Sequence, residues 1–419
     1  MLRAAVLFLA VYAVLALVKK ERWRTVWAGI AAGLALGVIE PPDLVLGVNW
    51  NVIGIFAGSL IVAELFVYSR MPEAISDELI NRSPDLRTAL LLVIGFASIF
   101  SIFMDNVVTV LIVAPIALQL TRKSGVSPVP VIIGLAVASN LQGMAILIGD
   151  TPSMLLAAWQ KMSFLDFFWH EGRPGIFWFV QLGAVTGMVV LWMFIRKDRQ
   201  RRPGIEVTSV RSRVPLALIV LMVVLLSLMT LVDPGFRWFG GVVCVVVGLG
   251  GMAWYAAARR GGGERHEWYF DWRSLLFLCG IFILVRMLEN AGVVDNVVDR
   301  LGGLRGRHPF VVLSIIVWFS VLISAFIDNI PFIAAMLPLV RGLGISLGMD
   351  EMLLALGLLI GSCMGGNITP VGAAANLAAV GILEKEGRQV SFARFVQVGL
   401  PFTVAATTVA YTALYLFYR

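Results

Sequence analysis

The sequence predicts an all-α integral membrane protein: an inverted repeat of two five-span halves, each with a re-entrant hairpin and a broken helix. Three observations lead there. Of 419 residues, 59% are hydrophobic and 14% charged, with a mean hydropathy of +0.90, too little polar surface for a soluble chain. Apolar stretches near the length that crosses a roughly 30 Å hydrocarbon layer recur from end to end. The third is a duplication: Ser101-Ile-Phe-Met-Asp-Asn, ending at Pro115, returns as Ser324-Ala-Phe-Ile-Asp-Asn, ending at Pro338, at an offset of 223. Carried forward, the offset pairs Ser139 with Ser362, Gly143 with Gly366 and Gly149 with Gly372. Upstream, Trp50 and Trp272 open matching apolar runs at an offset of 222, a single-residue indel. Duplicated, interrupted hydrophobic segments are typical of transporters.

Taken in order, the first apolar stretch runs from Ala4 to Val18. Only Arg3 precedes it, no small-residue cleavage site follows, and Lys19-Lys20-Glu21-Arg22 flanks it, so it reads as a span and not a cleaved leader. Crossing spans are placed near 2–18, 25–39, 50–68, 129–160, 176–195, 214–232, 238–257, 273–289, 351–382 and 394–416. The stretches 88–121 and 309–341 are read as hairpins that enter and leave on one side. The loops of one face then hold 23 of the 33 Lys and Arg, against nine on the other, with Arg286 inside. The positive-inside rule puts the basic loops in the cytoplasm of a plasma (inner) membrane protein and both termini outside. The first repeat covers 1–195, the second 214–419, and 196–213, with Arg201-Arg202-Pro203-Gly204, is a basic cytoplasmic linker. The net charge of +7 is thus an orientation signal, and nucleic acid is not an expected partner. An odd number of spans separates the hairpins, so they enter from opposite faces and their tips meet near mid-bilayer.

Each hairpin tip carries Asp-Asn: Asp105-Asn106 and Asp328-Asn329. Carbonyls ending the first arm and amides opening the second offer both signs of partial charge. Asp105 and Asp328 suit a proton or Na⁺, while Asn106, Asn329 and the amides suit an oxygen-rich or anionic substrate. Helix capping is a simultaneous role. A neutral cap would avoid the roughly 2.5–3.5 kcal/mol that an aspartate costs at the centre of a span, which argues for function.

The broken helices supply the second constellation. Val131 to Asn140 is too short to cross, and Ile148-Gly149-Asp150-Thr151-Pro152-Ser153 interrupts the run. Its partner reads Gly361-Ser-Cys-Met-Gly-Gly366-Asn367-Ile-Thr369-Pro370-Val-Gly372-Ala-Ala-Ala-Asn376. Glycines let backbone approach a ligand, and freed backbone groups are tolerated only against protein or a wet cavity. Asn140, Gly149, Asp150, Thr151, Gly366, Asn367, Thr369, Gly372 and Asn376 are therefore expected at the site. Asp150 pairs by offset with Ala373, so the two breaks differ in charge. Glu64 and Arg286 stand at equivalent places, 14 residues after their tryptophans, and are expected to pair or to gate; Glu289 lies near a span end.

His170, His266 and His308 fall in loops and form no imidazole cluster, and Cys244, Cys279 and Cys363 indicate neither a disulfide framework nor a four-ligand metal site. Cys363 lies near the second break, where thiol chemistry with a soft metalloid is the alternative to its leading reading as a small buried hydrophobe. No cofactor is expected beyond Na⁺ at Asp105 and Asp328. No nucleotide-binding loop is present, so a primary pump would need a separate ATPase subunit. An intramembrane aspartyl protease needs one aspartate dyad in a Gly-x-Gly-Asp context, and here Leu147-Ile148-Gly149-Asp150 stands instead. No enzyme is predicted.

At these residues the chain resembles the ion transporter superfamily, in the branch joining arsenite permeases, NhaD-type sodium/proton antiporters and the melanosomal P protein. Ser101 to Pro115 resembles its first hairpin, Gly149-Asp150-Thr151-Pro152 its Gly-Asp-Pro-Pro-Asn break, and Gly365 to Asn376 its second break. The resemblance implies scaffold elements, a moving transport unit and a homodimer in the lipid bilayer. More distant sodium/dicarboxylate symporters carry Ser-Asn-Thr at the tips, unlike Met104-Asp105-Asn106 and Ile327-Asp328-Asn329. Gln142-Gly143-Met144, Thr151 and Ser153 depart from the nearer pattern. The expected function is secondary active transport by alternating access: proton- or sodium-coupled efflux of a small inorganic ion such as arsenite or antimonite, with Na⁺/H⁺ antiport as the alternative and sodium-coupled carboxylate or anion symport as a further one.

Overall fold

The computed structural model describes residues 1–18, 21–196, 201, 204–233, 235, 237–260, 268, 270–300 and 306–419. His266, Lys19-Lys20 and Arg202-Pro203 of the basic linker lie outside them. Nearly all described secondary structure is helical, the exception being a two-residue β-ladder, β1 (Trp169–His170) with β2 (Arg173–Pro174). The first half holds α1 (Leu2–Leu17), α2 (Arg22–Ala35), α3 (Asp43–Leu46), α4 (Trp50–Tyr68), α5 (Met71–Arg82), α6 (Leu86–Phe100), α7 (Asn106–Ser124), α8 (Val129–Gly143), α9 (Thr151–Gln160) and α10 (Ile176–Ile195). The second holds α11 (Val214–Met229), α12 (Phe239–Arg260), α13 (Trp272–Asn290), α14 (Val293–Arg300), α15 (Pro309–Ser324), α16 (Asn329–Leu347), α17 (Glu351–Gly365), α18 (Ala374–Lys385) and α19 (Phe392–Tyr418).

The order from α4 to α10 returns from α13 to α19, with the same punctuation. Asp105 and Asp328 each cap a 19-residue helix, α7 and α16, whose tenth residue is a proline, Pro115 or Pro338. A proline inside a helix has no N–H for the carbonyl four residues earlier. Both helices stop at a glycine in the left-handed region, Gly125 (φ 68°) and Gly348 (φ 64°). α8 and α17 are 15 residues each, about 22 Å at 1.5 Å per residue, so neither crosses alone and each hands over to a short second piece, α9 or α18.

Among the described residues, six helices are long and apolar enough to cross a membrane: α4, α7, α10, α12, α16 and α19. Shorter apolar helices include α1, α6, α8, α11, α15 and α17. α2 and α13 are absent from both groups: α2 carries Arg22 and Arg24, and α13 carries Arg273, Arg286 and Glu289.

Packing interleaves the halves. α12 lies along α4, while α2 lies along α13. The first contact is a stripe of small residues, with Gly58 against the Cys244 backbone and Gly54 against Gly241, so close that a Cβ at Gly58 would sit 2.2 Å from the Cys244 carbonyl carbon. Likewise α18 packs on α7 and α8, and α9 on α16 and α17. α10 pairs with α19 behind them. The second piece of each broken helix thus belongs spatially to the other half.

The segment after α10 docks on α5. Asn81 holds Ile205 through its N–H (3.2 Å) and carbonyl (2.6 Å), and Asp77 accepts from Thr208 N (2.9 Å) and Oγ1 (2.7 Å). α5 and α14 were not expected from the sequence. Each is short and polar enough to read as loop.

Candidate functional site

Both hairpin tips reach one cavity of about 600 Å³. Asp105 and Asn106 enter from the first, Asp328 and Asn329 from the second, with Asn140, Asp150 and Thr151 from the first break. Glu64 of α4 faces it as well, beside a largely apolar wall that includes Phe56, Leu60 and Val67.

The tips are built alike. Asp105 Oδ1 accepts from the N–H of Val107 (2.8 Å) and Val108 (3.3 Å), and Asp328 Oδ1 accepts from that of Ile330 (3.2 Å). Each aspartate therefore satisfies the orphan amides of its own helix and keeps a second oxygen for other partners. Asn106 is fixed from both sides: its Oδ1 accepts from Ser101 Oγ (2.7 Å) and its Nδ2 donates to Asp150 Oδ2 (2.9 Å). Asp150 Oδ1 accepts from Thr151 N–H at 2.8 Å, opening α9.

Glycine makes the close approach feasible. A Cβ at Gly149 would lie 2.4 Å from the Gly143 carbonyl oxygen and 2.8 Å from that of Ile102. A Cβ at Gly372 would lie 2.6 Å from the Gly366 oxygen and 2.9 Å from that of Ala325. Those partners are themselves related by the 223 offset, so each break lies against its own tip by one shared geometry.

The second break is held from within. Asn376 Nδ2 donates to the carbonyls of Gly366 and Thr369, both at 2.8 Å, and Thr369 Oγ1 donates to that of Ala325. Asn140 Nδ2, from the other half, donates to Asn367 Oδ1 (2.9 Å) and Asn376 Oδ1 (3.0 Å). Gly366, Asn367, Thr369, Gly372 and Asn376 therefore stand behind the cavity wall, which Ala373, Ala374, Ala375 and Leu377 form. Asn367 and Asn376, expected at the site, thus brace the break behind the wall and do not line the cavity. Carbonyls freed by the helix break need donors first.

A second correction concerns Arg286. Its Nε donates to Asp43 Oδ1 (2.9 Å) and its Nη1 to the Leu46 carbonyl (3.1 Å), so it clasps α3, while Glu64 faces the cavity. Matching places in the two copies do not make these two residues partners. Cys363 is fully buried and absent from the cavity wall. His308 caps α15, its Nδ1 accepting from Phe310 N–H at 3.3 Å.

Sequence reasoning missed Glu21, Arg22, Asp271 and Arg273, all on the cavity wall. Arg22 Nη1 donates to Asp328 Oδ2 at 2.5 Å, and Arg273 Nη1 lies 2.7 Å from Glu21 Oε1. Asp271 caps α13 through Ser274 N–H at 3.0 Å. Among the described residues, the wall thus holds six carboxylates and two guanidiniums. The available signal was charge at the start of two apolar helices, which reads equally well as an end anchor.

The family profile described as CitMHS, citrate transporter, matches residues 12–359. The chain belongs to the CitMHS family. That places it in the ion transporter superfamily. An uncharacterized transporter of Mycobacterium tuberculosis (strain H37Rv) is 28% identical over 434 residues, covering 99% of this chain and 98% of its own. The human P protein is 22% identical over 471 residues, 91% of this chain and 55% of that one. Among solved structures, the YdaH transporter of Alcanivorax borkumensis shares the fold at a TM-score of 0.59 and 13% identity, over 88% of this chain and 85% of its own. This CitMHS member is a multi-pass membrane transporter.

Proposed function

We propose that this protein is a secondary active transporter working by alternating access, in which the carboxylates of the hairpin tips and the first break, Asp105, Asp150 and Asp328, form the site that couples flux to a cation, H⁺ or Na⁺. The observation that carries this reading is convergence: carboxylates from both hairpin tips and one helix break line a single cavity, beside amides held in fixed orientation. Carboxylates are rare inside membranes and mark ion and proton pathways.

The halves are read as inverted with respect to the membrane. Two ion pairs between distant loops support this, because each joins loops that the Lys/Arg count assigns to one face: Arg122 with Glu386 on the basic face and Arg173 with Asp350 on the other. Glu21, Arg22 and Arg273 belong to the basic face, so the cavity is read as opening to the cytoplasm.

For the transported species, six carboxylates against two guanidiniums among the described wall residues favour a cation, and Na⁺/H⁺ exchange becomes the leading reading. Arsenite follows it, since the amides suit a neutral oxyacid but Cys363 offers no thiol to the cavity. A carboxylate is the reading favoured by the family description and by Arg22 and Arg273 on the wall. It would have to enter with its charge compensated by cations. Proteoliposomes with an internal pH dye separate the three. Sodium-driven proton movement with no other solute supports exchange; proton movement that appears only with arsenite, or only with citrate, overturns that choice. No response to any gradient overturns the transport reading.

A further inference from the structure

We propose that Arg22 is a built-in cation, its guanidinium filling at the second hairpin tip the place that a coupling cation takes at the first. This rests on the transport reading above and adds a count: one bound coupling cation where two equivalent tips would otherwise take two.

The tips share backbone and role. Asp105 sits at φ −54°, ψ 138° and Asp328 at φ −58°, ψ 142°, each capping a 19-residue helix through Oδ1. They differ at the second carboxylate oxygen. Asp328 Oδ2 accepts from Arg22, whereas Asp105 has no partner for its second oxygen among the described residues. A separate cavity of about 20 Å³ lies against the first tip, lined by Ser59, Asp105, Gly149, Asp150 and Thr151 among others. That is room for one water-sized sphere, the scale of a single small cation.

Charge follows the same division. The first tip brings two carboxylates, Asp105 and Asp150, with no basic group among the described residues bonded to either. At the second, Ala373 stands where Asp150 would, in matching backbone (φ −142°, ψ 152° against φ −149°, ψ 152°), so Asp328 is alone and one guanidinium neutralises it. Arg22 is supplied by α2, which lies along α13. α12, which lies along α4 in the equivalent arrangement, opens with Phe239-Gly240-Gly241 and sends no basic residue to the cavity. The pair is also monodentate. Arg22 Nε finds no acceptor, so this is not the two-bonded fork by which arginine fastens a carboxylate for structure alone.

The test counts cations on the purified full chain. Na⁺ is titrated calorimetrically at fixed ionic strength with choline as the replaced ion, and proton release is counted in parallel. Wild type is expected to bind one Na⁺, Arg22→Gln two, Arg22→Lys one, and the double variant Arg22→Gln/Asp328→Asn one again. Where H⁺ is the coupling ion, Arg22→Gln releases one more proton per chain than wild type across the titration. An Arg22→Gln protein that melts within a few degrees of wild type and keeps the wild-type count overturns the proposal. So does an Arg22→Lys protein that gains a cation. Wild type that binds no Na⁺ and moves no protons overturns the transport reading with it, whereas normal wild-type binding with an unaltered variant count overturns this inference alone.

Discussion

The two hairpin tips are the same device in different electrical states. Both carry Asp-Asn, both cap a 19-residue helix, and both rest on a glycine in a helix break. At the first, Asn106 ties the tip to Asp150 of its own half. At the second, Asp328 is tied to Arg22 of the other half. The repeated geometry carries different charges, because Ala373 stands where the first copy has Asp150 and Arg22 pairs with Asp328, so one side is self-neutralised. Two copies of a fold therefore need not be two copies of a binding site.

The sharpest way to break this comparison is to remove one charge at each tip while keeping each cap. Asparagine caps helices about as well as aspartate, so Asp105→Asn should fold and melt near wild type. Loss of a desolvated carboxylate ligand costs roughly 3 kcal/mol of cation affinity, so coupled flux in proteoliposomes should fall about a hundredfold. Asp328→Asn should also lose coupled flux, but it leaves the Arg22 guanidinium half-buried without its partner and should lower the melting temperature as well. Equal melting for the two variants would show that the tips are electrically alike.

The shared geometry is tested by the glycines. Gly149→Ala and Gly372→Ala each force a methyl group into backbone oxygens, which move less readily than side chains. A loss of about 1–3 kcal/mol is expected for each, read by thermal or denaturant unfolding in detergent. A silent Gly372→Ala beside a damaging Gly149→Ala would mean the breaks approach their tips differently.

How much of this the sequence announces depends on distance along the chain. The tips and breaks are legible because Asp105-Asn106, Gly149-Asp150 and their partners are local patterns that repeat at one offset, and lipid makes such residues costly. The pairing of Asp328 with Arg22 is not legible, since 306 residues separate them and Lys19-Lys20-Glu21-Arg22 reads as a flank. Glu64 and Arg286 fail for a related reason. Equivalence in a repeat places residues at matching points of two frames, and nothing brings those points into contact. The crossing of α12 onto α4 and α2 onto α13 rests on small-residue faces such as Gly54, Gly58 and Gly241, which many glycine-rich segments of this chain could supply.

A smaller effect sharpens the difference between the breaks. Asn140 reaches from the first broken helix to both Asn367 and Asn376, and the second break sends no such residue back at the matching position, where Cys363 stands. Asn140→Ala leaves two buried amide oxygens unpaired and should cost about 1–3 kcal/mol, while Cys363→Ala, which removes no hydrogen bond of this network, should cost less. Unfolding measurements on both variants decide it. A larger loss for Cys363→Ala would place the anchoring of the break elsewhere.

The smallest effect concerns the loop between α9 and α10, where Arg173 Nη1 donates to Asp350 Oδ2 at 2.6 Å and so ties the loop to the cap of α17. Within this loop His170 Nδ1 lies 3.1 Å from Asp166 Oδ1, and that hydrogen bond raises the imidazole pKa above its usual 6.5. A raised folded-state pKa means the charged ring is favoured by folding. The stabilisation is therefore complete below about pH 6.5 and lost as pH rises through the higher folded value. The group is partly exposed, so the difference should stay under about 1 kcal/mol. Melting temperature measured from pH 5.5 to 8.5 should decline slightly more for wild type than for His170→Asn, and the decline should persist in Asp105→Asn, because the loop titrates independently of the tips. A pH dependence that disappears with Asp105 instead of His170 would assign the titration to the cavity and make the loop a passive strap.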